Sequence, residues 1–214
     1  MRTVVIIGNS GAARECRWIL KSMEEGSGDL VFKGFLSFEG YQGDLKELSG
    51  MLLGDDDAFT ASRDDVFAIG IGNPELRLRA YHKWKARGVS FLTLLHPECT
   101  LLPETRFGEA NIFAQNTYLS CNTLLGNANY LNGSVVIGHD VTVGDGNFFA
   151  PFSMVLGNAR IGSGNSFGVR ATALAGAKIG NNNTIAPGAY IYKGCRDNCL
   201  MAGNPACDIA SGTT

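Results

Sequence analysis

From Leu101 onward, one position in six is apolar without a break. The series runs Leu101, Phe107, Phe113, Leu119, Leu125, Leu131, Ile137, Val143, Phe149, Val155, Ile161, Phe167, Ala173, Ile179, Ile185 and Ile191, and only Ala173 is small. A helical face recurs at about 3.6 residues, so this period excludes helix, as does the abundance of glycine and asparagine. An uninterrupted hexapeptide repeat specifies a parallel β-helix, in which each coil lies on the last and the apolar positions fill the core. A second period sits inside the first: Asn111, Asn129, Asn147, Asn165 and Asn183 are eighteen apart. Three hexapeptides therefore make one coil, and the asparagines stack in a column whose amides hydrogen-bond from rung to rung.

Residues 1–95 alternate strand and helix instead. "TVVIIG" (3–8) and "VFAIGIG" (66–72) are short apolar runs ending in glycine, as buried parallel strands do. "GAARECRWILKSM" has helical composition, "LVFKGFL" reads as a second strand, and "VSFLTLL" closes this half. Pro74 opens the helix "PELRLRAYHKWKARG" at a position where its missing N–H costs nothing. Such β-α-β alternation means a parallel sheet flanked by helices. The expected organisation is α/β plus β: a small Rossmann-like domain at 1–95, a β-helix at 96–205 and a C-terminal tail at 206–214.

Composition narrows the function. A net charge of −2 argues against nucleic acid or an anionic membrane as the main partner, because both require a basic surface. The apolar run at the start is too short for a signal segment and no stretch approaches a membrane span, so the expectation is a cytoplasmic protein. The six cysteines are scattered, and Cys195, Cys199 and Cys207 fit no zinc spacing, so no metal is expected.

The period-six region and the half before it together resemble the hexapeptide acyltransferases. More narrowly, they resemble the sialic-acid O-acetyltransferase and nucleotide-4-amino-sugar N-acetyltransferase group of the bacillosamine type. The match rests on "GNSGAARE" after the first strand, "AIGIGNPELRLRAY" before the later helix, "LLHPE" at the junction, "VIGHD", and the closing "AGNPA". The resemblance implies a left-handed β-helix; crossovers are ordinarily right-handed, and no residue here argues the hand by itself. It also implies an acetyl-CoA-dependent enzyme with a nucleotide-sugar substrate and a homotrimeric assembly, with acyl sites between neighbouring prisms.

Within "VIGHD", His139 stands just past a glycine at a coil corner and Asp140 follows it. A sugar amine or hydroxyl attacking a thioester must shed a proton. Imidazole is the suitable acceptor near neutral pH, and an adjacent carboxylate stabilises the imidazolium. The resemblance implies that His139 is the catalytic base and Asp140 its partner. One coil on stands Gly157, whose exposed N–H can hold an oxyanion, the role the family gives that place. Relatives often carry a second histidine nine residues after the base, contacting acetyl-CoA; here it is Phe148. Stepping by eighteen from His139 reaches Gly157, Ala175 and Lys193. The expectation is that acetyl-CoA lies along this column, its phosphates toward Lys193 and Arg196. Cys121, one coil earlier, invites a covalent alternative.

"GNSGAA" lacks the full dinucleotide fingerprint but leaves backbone N–H groups at a helix start, a usable anion site; a tight turn without a ligand is the plainer reading. The resemblance places a nucleotide sugar near Asn9, Ser10, Gly11 and Ala12, with Ser37, Gly72 and Asn73 on the other side. Relatives often have acidic residues around Ser37; here only Glu39 is near. The leading expectation is N-acetylation of a nucleotide-linked amino sugar. The alternatives are O-acetylation of sialic acid or another sugar hydroxyl, and a non-catalytic nucleotide-sugar-binding protein. A β-helix carbonic anhydrase needs three coil histidines, whereas the chain has only His82, His96 and His139, with His82 in the N-terminal half.

Overall fold

The computed structural model describes residues 1–39 and 50–210; the last residues of the expected tail, 211–214, lie outside them. The N-terminal unit comprises β1 (Arg2–Ile7), α1 (Gly11–Ser27), β2 (Leu30–Ser37), β3 (Leu52–Asp55), β4 (Asp65–Ile69), α2 (Pro74–Ala86) and β5 (Ser90–Phe91). Its five strands are parallel, in the order β3-β2-β1-β4-β5. Side chains alternate across a strand, so β1 supplies both faces. Val4 and Ile6 pack with Ala13, Cys16 and Leu20 of α1, while Val5 and Ile7 pack with Ala80, Tyr81 and Trp84 of α2. Burying each such side chain contributes about 1.5–3 kcal/mol. Gly70 lets α1 come close: a Cβ there would lie 2.6 Å from the Cα of Ala13. At the start of α2, Asn73 accepts from the Leu76 N–H at 3.0 Å, and Pro74 occupies the first turn.

The solenoid runs through two-residue strands from β6 (Leu94–Leu95) to β23 (Gly194–Cys195), then β24 (Leu200–Gly203) and β25 (Ala206–Asp208). "VSFLTLL" is thus divided, since Ser90–Phe91 completes the N-terminal sheet and Leu94–Leu95 pairs with Ile112–Phe113 of the solenoid. The strands form three parallel faces. Along a coil, the chain passes from a first face holding Val136–Ile137 to a second holding Thr142–Val143 and a third holding Phe148–Phe149. The sixth-position residues fill the interior; Leu119, Ile137, Phe149, Val155 and Phe167 have no exposed surface. The asparagine column is buried as well. Asn147, Asn165 and Asn183 each donate from Nδ2 to Oδ1 of the preceding asparagine at 2.9 Å, and their backbone N–H groups donate to the same oxygens at 2.9 Å. Each of these three asparagines thus satisfies its coil's interior with the coil before it, as buried polar groups require.

The register breaks once. Thr172 pairs with Tyr190, eighteen residues on, but Lys178 pairs with Gly194 and Ile179 with Cys195, sixteen on. The last coil is two residues short at its first corner. Beyond it, β25 runs antiparallel to β24.

The third face packs against the N-terminal unit: Ile112, Ala114 and Tyr130 share a buried cluster with α1 and β1, and Phe148 packs on it. The Tyr130 hydroxyl donates to Glu15 of α1. Arg77 of α2 is wholly buried between the two units. Its guanidinium donates to the carbonyls of Ile69 and Ile71 on one side, at 2.5 and 3.0 Å. On the other side it donates to those of Ala128 and Ala110 in the solenoid, at 2.6 and 2.9 Å. Burial pulls its pKa down to about 10.

Candidate functional site

His139 and Asp140 sit at the corner between the first and second faces. Each corner needs a residue in the left-handed region, and Asp140 supplies it here with φ 58°; aspartate tolerates this conformation better than most residues. The reversal turns two consecutive side chains toward each other, and Nδ1 of His139 donates to Oδ2 of Asp140 at 2.7 Å. Asn122, one coil earlier, donates from Nδ2 to the other carboxylate oxygen at 2.6 Å. These contacts, His139 first and Asn122 second, hold the Asp140 carboxyl below the usual carboxylate range. The carboxylate fixes the ring and leaves Nε2 as the free nitrogen of an imidazole that is 56% exposed.

Gly157 lies directly beneath that ring. A Cβ at this position would stand 2.6 Å from both Cε1 and Nε2 of His139, so only glycine accommodates the imidazole where it is. Gly138 has the complementary duty, since a Cβ there would come within 2.7 Å of the Gly157 nitrogen. Among the described residues, nothing accepts a hydrogen bond from the Gly157 N–H. An accepting nitrogen and an open backbone donor thus face one small space, which is the pairing needed to deprotonate a nucleophile and hold an oxyanion.

The sequence-expected coenzyme positions divide. Gly157 and Ala175 continue the His139 corner in register. Lys193 does not: because of the short last coil, its carbonyl accepts from Lys178 N as that of Ala177 does from Arg160 N. Lys193 therefore stands in the rung place of Ala177 and not of Ala175, although it is exposed and at the same corner. The phase shift was visible in the sequence, since the core positions after Ile191 are Cys195 and Met201, not residues 197 and 203. Phe148 is on the third face. Its ring packs edge-on against Tyr130 with centroids 5.3 Å apart, and its Cε2 lies 3.9 Å from the Cβ position of Gly72.

The N-terminal candidates gather at the carboxyl ends of β1 and β4, where the strand order reverses, the usual place for ligands on open parallel sheets. Asn9, Ser10, Gly72 and Asn73 line a cavity of about 270 Å³ there with Gly8, Phe38, Ile71 and Leu76. Asn9 is 6% exposed, and its Oδ1 has no protein partner. Ser10 caps α1 without a side-chain hydrogen bond. Gly11 and Ala12 form the first turn of α1 behind the cavity. Ser37 is buried and donates to the Gly54 carbonyl at 3.4 Å, so it supports β3 and does not line the cavity.

Two features escaped the sequence. Arg77 lies inside the quoted "AIGIGNPELRLRAY", but nothing in its spacing marks it as the staple between units. The placement of the two candidate centres is the other. The third face carries the N-terminal unit, and His139 occupies the opposite edge of a three-sided prism. Within one chain, the Asn9 cavity and the His139 corner do not meet.

No model of a known family matches this sequence, and no curated protein matches it. Solved structures do. The acetyltransferase domain of PglB from Neisseria gonorrhoeae superposes with a TM-score of 0.85 at 19% identity, over 97% of this chain and 100% of that one. PerB from Caulobacter crescentus, solved with CoA and GDP-perosamine, gives 0.84 at 22% identity, over 97% of each chain. WeeI from Acinetobacter baumannii gives 0.83 at 21% identity, over 97% of this chain and 100% of that one. At such identities the likeness is one of fold, and it spans both units: the chain shares the architecture of these three structures from end to end.

Proposed function

We propose that the protein is an acetyl-CoA-dependent acetyltransferase that acylates the amino group of a nucleotide-linked amino sugar. The observation that carries this reading is the His139–Asp140 pair poised over the Gly157 amide. The amine attacks the thioester carbonyl carbon, and its proton passes to Nε2 of His139 as the C–N bond forms. Asp140 accepts from Nδ1 and stabilises the imidazolium. The Gly157 N–H receives the oxyanion, which collapses with cleavage of the C–S bond; the departing thiolate takes the proton from His139. General base and oxyanion contributions of this kind are each worth roughly 10²–10⁴-fold and 10²–10³-fold. PerB binding CoA and GDP-perosamine, and the PglB domain binding acetyl coenzyme A, support the same pair of substrates here.

In this reading β1 to β5 form a Rossmann-like nucleotide-sugar domain, and the solenoid from β6 is a left-handed β-helix closed by the hairpin β24–β25, which takes up the start of the expected tail. Acetyl-CoA lies along the corner through Gly157 and Ala175, with its phosphates toward Lys193 and Arg196. The separation of the Asn9 cavity from His139 favours a shared site, with one copy offering the sugar and a neighbour the base; a homotrimer of prisms satisfies this by closed symmetry. A monomer by light scattering at micromolar concentration removes the shared site. No helix among the described residues is long and apolar enough to cross a membrane; a cytoplasmic location is part of the proposal. The decisive assay is thiol release from acetyl-CoA with a panel of nucleotide 4-amino sugars and their hydroxyl counterparts. Release with the amines is expected. Release with hydroxyl acceptors alone selects O-acetylation, and binding without release leaves a binding protein.

A further inference from the structure

A second cavity adjoins the first. It has a volume of about 490 Å³ and lies between the start of α2 and the third face, with Asn73 in the walls of both. The two differ in chemistry. The cavity at the strand ends is bounded by Phe38, Ile71 and Leu76. The second is lined by the hydroxyls of Ser166 and Thr184 and the amides of Asn182 and Asn198. Its one charge is Glu75; among the described residues no lysine or arginine lines it.

We propose that this polar cleft is the glycosyl subsite, which takes a neutral hexose ring while the nucleotide occupies the adjoining cavity. The inference rests on the nucleotide-sugar reading above. The helix ends set the order of the parts. A diphosphate seeks a helix start with open N–H groups and no carboxylate. At α2, Asn73 already caps the turn and Glu75 places a negative charge in it. At α1, the Ser10 side chain makes no capping bond and the first turn holds no acidic residue. The unpartnered, buried Oδ1 of Asn9 at the same end needs a donor, which a ribose hydroxyl or a base N–H supplies and a diphosphate does not. The diphosphate therefore belongs at α1, and the apolar wall beside it suits the base.

A sugar leading away from the phosphates then passes Asn73 into a cleft of hydroxyls and amides. Its own hydroxyls need such partners, because a buried hydroxyl without one costs free energy. Ser166 and Thr184 face it from consecutive rungs, about 4.8 Å apart. Phe148 pairs with Ser166 one rung back and its ring lies against the Gly72 position, so it supports the walls beside the cavities without lining either.

The test uses calorimetry on the full chain with UDP, GDP and dTDP, each alone and as its 4-amino-4,6-dideoxyhexose conjugate. Thr184→Tyr fills the cleft from an exposed strand position, and Ser166→Ala removes one hydroxyl. For the nucleotide that the wild type accepts, both variants should keep the affinity for the free diphosphate within about twofold, which also reports an intact fold. Thr184→Tyr should weaken the conjugate by about tenfold or more, and Ser166→Ala by about fivefold, the usual worth of one hydrogen bond. The KM for acetyl-CoA should not move. Wild-type affinity for the conjugate in both variants, with turnover established, overturns the subsite, and so does an equal loss for diphosphate and conjugate. If the wild type binds none of the six compounds and releases no thiol with them, the nucleotide-sugar reading falls and takes the subsite with it.

Discussion

The two units solve the same problem of burying a backbone in different ways. In the solenoid, a strand N–H finds its acceptor seventeen residues on: Gly138 N donates to Val155 O, and Thr142 N to Ala159 O. In the N-terminal unit, β1 is paired with β2 on one side and with β4, some sixty residues on, on the other. A solenoid is quasi-one-dimensional, so each rung answers to its neighbours alone. The sheet holds together only when distant segments have met. The solenoid can therefore carry an exposed, rigid corner such as that of His139 and Asp140. The sheet makes its cavity where two chain directions diverge, and that place exists only in the assembled fold.

The sharpest challenge to this division of labour is His139→Ala. Turnover should fall by roughly 10²–10⁴-fold, while calorimetry shows nucleotide binding unchanged; a parallel loss of binding would mean that the corner and the cavity are not separable. Gly157→Ala comes next. Its methyl group would displace the imidazole, for which about a 10²-fold loss in kcat is expected, with KM for the nucleotide sugar intact. Spectroscopic titration of His139 should show the ring in a changed environment.

Arg77→Met probes the boundary itself. Each carbonyl left unpaired costs about 1–3 kcal/mol, and the loss falls at the seam. Thermal unfolding should then split, the N-terminal unit melting first and the solenoid near its original temperature. A single shifted transition would show that the units fold as one.

The smallest effect is expected for Asp140→Asn, read as stability against pH. Because His139 and Asn122 lower the folded pKa of this carboxyl, its contribution is present above the unfolded carboxylate value. It is lost as pH falls through the depressed folded value. The melting temperatures of wild type and variant should differ slightly at neutral pH and converge once pH has fallen through the depressed folded value. A difference that grows in acid contradicts the assignment.

What the sequence made legible follows the same division. The six-residue and eighteen-residue periods placed the asparagine column and the large core side chains from Phe113 to Ile191, because a repeat writes its contacts at fixed distances; they missed that Phe107 is exposed and that Val135, Val141 and Ala159 add to the core. The same regularity misled at Lys193, where a two-residue deletion changed the phase without disturbing the apolar pattern before it. In the N-terminal half, β1, β4 and both helices could be read from apolar runs, Gly8 and Pro74. Strand β3, exposed along Leu52 and Leu53, has no such run. Arg77 looked like any surface arginine of a helix, since its burial depends on carbonyls from residues that far exceed its local window. His139 could be singled out as a candidate base through the family resemblance and the Asp140 beside it, but not the fact that its own chain keeps it away from the cavity.

The reversed strand at the end of the solenoid has a consequence for the life of the protein in a crowded solution. A stack of parallel coils offers its terminal rung as a template, and any strand that docks there in the same direction lengthens the stack. On the third face β25 occupies that edge in the opposite sense, pairing Met201 with Asp208 and Gly203 with Ala206. An arriving coil meets a strand of the wrong polarity with a carboxylate on it, and cannot continue the rise. The hairpin thus acts as a terminator, and a chain cut back before Ala206 should be prone to join end to end into fibres.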